Sequence, residues 1–158
     1  MNVKSDSFIK YLVGYLVGLT VLLFLMGCSS QPQDPLSINL RDHKQIVQHI
    51  HPTLQIEIND QIQLIPADIG ITEQGLRVIH THDEPGILHV ESPFPYQFYL
   101  KDFFTIWGKR FDSQCIFDSC IDNDHELKVY LDGQEDTRFG DIPLQDDQQI
   151  RIVYQKKG

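Results

Sequence analysis

The histidines are the side chains of this sequence that are best suited to a chemical function. Seven occur, and four of them form two His-x-His pairs, His49-Ile50-His51 and His80-Thr81-His82. Residues two apart in an extended chain point to the same side, so each pair presents two imidazoles on one face. Neutral imidazole is the commonest protein ligand for transition metals. The two pairs therefore predict a metal site.

A further histidine, His89, is expected to join this site. The segment Asp83-Glu84-Pro85-Gly86 between His82 and His89 is rich in turn-forming residues. A turn there folds the two flanking segments into an antiparallel hairpin, which places His82 near His89 with Asp83 and Glu91 close by. The first His-x-His pair completes the site if its segment lies beside this hairpin.

Several imidazoles suit copper(II) in tetragonal geometry or zinc in a tetrahedron. The favoured function is metal handling or sensing. One alternative is a metal-dependent enzyme at the same site, with Glu91 or Asp83 as the general base. Another is an interaction module in which the histidines are only structural. His43 and His125 are interpreted as solvated residues outside the site, and the predicted ligands are His49, His51, His80, His82 and His89.

The elements that must position these histidines are mostly strands. Apolar residues alternate from Leu54 to Ile58, which predicts a half-buried strand. A three-residue loop over 59–61 would pair Ile58 with Ile62 and turn both apolar sets to one core, so this loop length is predicted. Further strands are predicted around 77–82, 87–91, 127–131 and 150–154.

One helix is predicted, over Tyr99–Trp107. Its apolar residues recur with helical spacing and form a single stripe, and Gly108 stands where a helix C-terminus is expected. One helix over a mixed sheet is an α+β fold. The stripe consists of Leu100, Phe103, Phe104 and Trp107.

The order of hairpin, helix and closing strands resembles the β-grasp (ubiquitin-like) fold. The segment from Leu144 to Ile152 is similar to the last loop and strand of sulfur-carrier domains. Those domains usually have Gly where Asp146 stands and end in Gly-Gly, whereas a single Gly158 follows Lys157 here. The resemblance therefore implies a β-grasp-like fold without a sulfur-carrier or conjugation role.

A second resemblance covers about residues 47–154. The segments HIHP, IPADIGI, HTHDEPGILHVES and FFTIWG together resemble an uncharacterised family of extracytoplasmic proteins. This resemblance implies a fold and a location outside the cytoplasm, and it implies no particular chemistry.

The N-terminus is typical of a signal peptide. Lys4 and Lys10 precede an apolar run over 11–26, which is short for a bilayer span of about 20 residues. Leu25-Met26-Gly27-Cys28 resembles a bacterial lipobox, which implies that Cys28 is lipidated and anchors the chain to the membrane. We therefore expect a signal peptide over 1–27, a flexible tether over 28–41 and one domain over 42–158. The alternative is an uncleaved membrane anchor, which also places the domain outside the cytoplasm.

Two cysteines remain after Cys28, and an oxidising compartment favours a disulfide between Cys115 and Cys120. The alternative is a soft-metal site that these cysteines share with nearby Asp118, Asp122 and His125. The net charge of −9 and the lack of a basic patch argue against nucleic acid as a partner.

Overall fold

The computed structural model describes residues 34–158. The predicted signal peptide, its lipobox and Cys28 lie outside the described residues. Within residues 34–158, no helix is both long and apolar enough to cross a membrane. The helices are α1 Leu100–Trp107 and three short 3₁₀ segments, Pro35–Ser37, Leu40–Asp42 and Phe139–Asp141.

Strands predominate in this part of the chain. They are β1 Gln48–Ile50, β2 Thr53–Ile58, β3 Gln61–Gln63, β4 Ile71–Thr72, β5 Gly75–Leu76, β6 Ile79–His80, β7 His89–Ser92, β8 Cys115–Ile116, β9 Ser119–Cys120, β10 His125–Leu131, β11 Gln134–Asp136 and β12 Gln149–Lys156. They form a five-stranded sheet, a three-stranded sheet and two small hairpins, β4–β5 and β8–β9.

The five-stranded sheet has the order β11-β10-β12-β2-β3. The hairpin β2–β3 is antiparallel, and the last strand, β12, enters the middle of the sheet parallel to β2 and antiparallel to β10. The hairpin β2–β3, helix α1 and a final central strand parallel to β2 define a β-grasp-like arrangement. The predicted α+β, β-grasp-like fold is therefore confirmed.

Helix α1 and the five-stranded sheet share one hydrophobic core. Leu100, Phe103 and Phe104 of the predicted stripe are buried, as is Ile152 at the centre of the sheet. The helix ends at Gly108, whose φ of 69° lies in the left-handed region that favours glycine. The amphipathic pattern thus predicted both the extent of the helix and the face that it buries.

The predicted register of the β2–β3 hairpin is wrong. The turn has two residues rather than three, so Ile58 pairs with Gln61 and Ile62 pairs with Glu57. The turn residues Asn59 and Asp60 have φ values of 51° and 64°, and two left-handed residues match the twist of a tight hairpin. As a result Ile62 lies on the outer face of the sheet and is 65% exposed.

The domain also begins earlier than residue 42. Ile38 and Leu40, which belong to the predicted tether, are 2% and 4% exposed and join the core. Between them, the Asn39 side chain accepts a hydrogen bond from the Leu76 backbone and holds this segment against the β4–β5 hairpin. The compact unit therefore starts at Asp34, because the apolar side chains of this otherwise polar segment pack on the core.

The two remaining cysteines, Cys115 and Cys120, form a disulfide across the β8–β9 hairpin. Their sulfur atoms are therefore not available as soft-metal ligands. A loop of this length contributes about 2 kcal/mol in the chain-entropy model. His125, which was expected to be solvated, pairs instead through Nδ1 with Asp122 Oδ1 at 2.9 Å and stacks on Tyr154.

Candidate metal centre

The histidines are positioned by the three-stranded sheet, which has the order β1-β7-β6 and is antiparallel throughout. His49 of β1 lies opposite Glu91 of β7, and His80 of β6 lies opposite His89 of β7. Residues that are opposite one another, or two apart on one strand, share a face. One face of this sheet therefore carries both His-x-His pairs, His89 and Glu91.

The other face of this sheet is anchored in the core. Leu88 and Val90, which flank His89 in the sequence, have no exposed surface, and neither does Ile79. The period-two alternation thus turns the apolar residues inward and His89 outward, as the sequence predicts. This burial fixes the strands, and so it fixes the spacing of the imidazoles that they carry.

His89 is the centre of the cluster. Its ring centroid lies 4.7 Å from that of His51 and 4.6 Å from that of His82, on the two neighbouring segments. The ring of His80 is stacked at 5.4 Å, and that of His49 is at 6.0 Å. The imidazoles form a band with His89 in the middle and one His-x-His pair on each side.

The possible ligand atoms divide into two groups of three that share His89. We name His49, His51 and His89 the outer triad, and His80, His82 and His89 the inner triad. Within each triad the ligand atoms lie within 4.8 Å of one another. Two nitrogens on one zinc ion can be at most about 4.2 Å apart, since each Zn–N bond is about 2.1 Å. Small side-chain movements therefore allow either triad to hold a metal ion.

A hydrogen bond orients one of the rings, and a carboxylate lies beside a second. The His80 Nδ1–H donates to the Arg77 carbonyl at 3.0 Å, because a carbonyl can only accept. The other nitrogen, Nε2, then carries the free lone pair. The Nε2 atom of His49 lies 3.1 Å from Glu91 Oε1. Carbonyl or carboxylate partners of this kind fix the tautomer and orientation of metal-binding histidines.

His51 is held through its backbone. The His51 N–H donates to Asp146 Oδ1 at 2.8 Å, and the ring Nδ1 lies 3.9 Å from the same oxygen. Asp146 belongs to the segment before β12, so this bond ties the histidine sheet to the five-stranded sheet. Asp146 thus lies beside the outer triad, whereas Glu91 contacts His49 and also acts electrostatically on His80 and His89.

Burial keeps the central imidazoles uncharged. It lowers the pKa of His80 from 6.5 to about 4. The pKa of His89 is also lowered, first by burial and then by the neighbouring rings of His82 and His51. Both rings are therefore neutral at pH 7, and the neutral imidazole is the form that binds metal ions.

Acid should destabilise the metal-free chain through His80. In the unfolded chain its pKa returns to 6.5, so between pH 6.5 and about 4 the unfolded state takes up a proton that the folded state does not. This term is absent above pH 6.5 and reaches about 3 kcal/mol of lost stability as the pH falls through 4. Urea denaturation at about pH 7 and pH 4.5 measures the loss.

The matched variant for this measurement is His80→Asn, which keeps a donor for the Arg77 carbonyl but does not titrate. Its stability should fall less with acid than that of the wild type, since carboxylates contribute equally to both chains. An equal fall in the two chains would contradict the assignment of the effect to His80.

Sequence reasoning missed three features of this site. Strand β1 was not predicted, although it carries His49 and brings the first pair beside β7. The roles of Arg77 and Asp146 as hydrogen-bond partners were also missed. Period-two spacing of Gln48 and Ile50 around His49 was the available signal for β1, whereas no local signal marks a backbone carbonyl or a distant aspartate as a partner.

Asp83, which was predicted as an alternative base, is exposed in the turn between β6 and β7. A groove of about 630 Å³ lies elsewhere, on the five-stranded sheet, with Ile62, Leu64, Tyr130 and Arg151 among its lining residues. None of the cluster histidines lines this groove. The histidine face and the groove are therefore separate surfaces.

The fold and the site together define a class of protein: a β-grasp-like domain with a second small sheet that displays a histidine cluster able to hold a metal ion. Comparisons with protein-family models, with curated proteins and with solved structures found no match for this chain.

Proposed function

We propose that this chain is a lipid-anchored extracytoplasmic protein that binds copper or zinc through its histidine cluster and acts in metal handling or sensing. The observation that carries the proposal is the convergence of two His-x-His pairs and His89 on one face of a three-stranded sheet. These histidines come from three different strand segments, and the two triads that they form have metal-compatible spacing.

The donor atoms favour a transition metal over calcium or magnesium. Both triads consist entirely of imidazole nitrogens, whereas calcium and magnesium prefer oxygen ligands. Imidazole suits copper and zinc. In addition, the net charge of −9 attracts cations to the protein.

The proposed location rests on the N-terminal sequence and is supported by the disulfide. A bond between Cys115 and Cys120 suits an oxidising compartment such as the cell envelope. The membrane is the proposed partner, through a lipid on Cys28. A Cys28→Ser chain should not carry the lipid. Metabolic labelling with a fatty acid measures the lipid on each chain. Equal labelling of both chains would contradict the lipid anchor.

Binding is favoured over catalysis because Glu91, the predicted base that lies on the histidine face, is already engaged. Glu91 Oε1 contacts His49 Nε2 at 3.1 Å, so Glu91 orients a ligand instead of standing free as a base. The side chain is 17% exposed, which also limits its access to a substrate. The geometry therefore supports an ion-holding role.

Elemental analysis tests the proposal directly. The full-length chain is purified in detergent, incubated with Zn(II) or Cu(II), freed of unbound ion and analysed before and after treatment with a chelator. We expect about one ion per chain, which the chelator removes. For Cu(II), electron paramagnetic resonance should show nitrogen ligands.

The control variant is His43→Ala, which removes an exposed histidine outside the cluster and should bind metal like the wild type. A chain with both His-x-His pairs replaced by alanine should bind at least about 100-fold more weakly. Unchanged metal content in that chain would overturn the proposed site, and an absence of metal from the wild type would overturn the function.

A further inference from the structure

We infer that the histidine cluster offers a single ion two overlapping positions, the outer triad and the inner triad, and that His89 stays bound while the ion passes between them. This inference rests on the proposed function, since it requires a metal ion in the cluster. It adds to that function a route by which an ion enters and is retained.

The spacing of the ligand atoms argues against one fixed site with every histidine bound. All nitrogens on one ion must lie within about 4.2 Å of one another, as twice a Zn–N bond length requires. The ligand atoms approach this condition only as two separate groups of three, with His89 in both. An ion in one triad therefore leaves the opposite His-x-His pair free.

The chemistry of His89 argues for one ion at a time. A neutral imidazole has one protonated nitrogen and one nitrogen with a free lone pair. His89 in that form binds a single ion, although it has a His-x-His pair on each side. The shared ligand thus makes the two positions alternatives.

The two positions differ in their exposure and in the charges around them. The side chains of His49 and His51 are 50% and 41% exposed, and carboxylates of Glu91 and Asp146 lie beside them. His80 is only 1% exposed, although its triad partner His82 remains open to solvent. Glu91 also acts electrostatically on His80 and His89, but Asp146 lies on the outer side. This carboxylate and the exposed rings suit the outer triad for capture of a cation, and the burial of His80 suits the inner triad for retention.

Passage between the triads is a ligand exchange. The bonds from the ion to His49 and His51 break, bonds to His80 and His82 form, and the bond to His89 persists. One pair of imidazole ligands replaces another, and the oxidation state of the ion does not change.

The first measurement is the Zn(II) content of the full-length chain in detergent. Two pair variants are compared, His49→Ala/His51→Ala and His80→Ala/His82→Ala, with His43→Ala as the control. Each pair variant retains one complete triad, because His89 is present in both variants. Each should therefore still hold about one ion per chain. The inner-pair variant should bind about tenfold more weakly than the outer-pair variant.

The second measurement is the rate of Zn(II) uptake by the metal-free chain and of release to a chelator. The outer-pair variant should exchange at least about tenfold more slowly than the wild type, because its capture position is gone. Circular dichroism establishes that each variant is folded. Because His80 is buried, a second variant, His82→Ala, changes only an exposed residue of the inner triad. This variant should bind Zn(II) more weakly than the wild type and take it up at an undiminished rate.

The outcomes separate this inference from the proposed function. Binding of two ions by the wild type would overturn the shared, single-ion arrangement. Complete loss of zinc from one pair variant with no change in the other would show one fixed triad and would also overturn it, as would unchanged exchange rates in the outer-pair variant. In all these cases the chain still binds metal, whereas failure of the wild type to bind any ion would overturn both.

Discussion

A chain with His89→Ala is expected to bind Zn(II) or Cu(II) at least about 100-fold more weakly than the wild type, a larger loss than either pair variant shows. The reason is that His89 belongs to both triads, so its removal leaves only two imidazoles on either side. Competition with a chelator of known affinity measures the loss.

The fold should tolerate this change. His89 points away from the core, while the buried residues that hold β7 in place are Leu88 and Val90. The thermal unfolding midpoint of the metal-free variant should therefore stay close to that of the wild type. Wild-type affinity in the folded His89→Ala chain would show that the metal, if bound, is held elsewhere.

The Gly70→Ala chain is expected to be destabilised by about 3 kcal/mol. Gly70 has a φ of 76°, and a Cβ atom there would lie 2.4 Å from the Ile79 carbonyl oxygen and 3.2 Å from His80 Cβ. The added methyl group must push β6 aside, which weakens the inner triad as well as the fold. Urea denaturation and Zn(II) affinity measure the two effects.

Gly133→Ala provides the matched control. Gly133 has a similar φ of 82°, but a Cβ atom there meets nothing within 4 Å. This variant should therefore lose only the conformational term, about 1 kcal/mol, and keep its metal affinity. If both variants lost the same stability, the close approach of Gly70 to β6 would have no energetic consequence.

The local patterns predicted the helix and six of the twelve strands of this fold. Alternation from Leu54 to Ile58 gave β2, and the helical stripe that includes Phe103 and Phe104 gave α1. The predictions succeeded where a residue's own neighbours determine its face. The β-grasp-like order then followed from the sequence of elements, and the parallel pairing of Ile152 with Ile56 at the centre of the sheet agrees with it.

The hairpin register was not predictable from the apolar pattern alone. Maximal burial favoured pairing Ile58 with Ile62, but the left-handed conformations of Asn59 and Asp60 produce a tighter turn. The sheet accepts an exposed Ile62 because β3 is at its edge. Turn geometry thus outweighed burial of one side chain.

The histidine site was predictable in part. Period-two spacing correctly placed the two imidazoles of each pair on one face, and the turn at Pro85-Gly86 brought His82 beside His89. The position of His49 beside Glu91 depends on the pairing of β1 with β7, a contact between distant segments that no local pattern specifies. The same is true of the bond from His51 to Asp146.

The parallel pairing of β2 with β12 places Leu54 beside Ile150. The central sheet therefore forms only after two segments that are far apart in the sequence have come together. Contacts between such distant segments make folding slow. Before the sheet forms, the imidazoles can bind ions in non-native combinations. Such binding stabilises the unfolded chain. Reconstitution should therefore succeed best when ions are supplied after refolding is complete, and early addition should lower the yield.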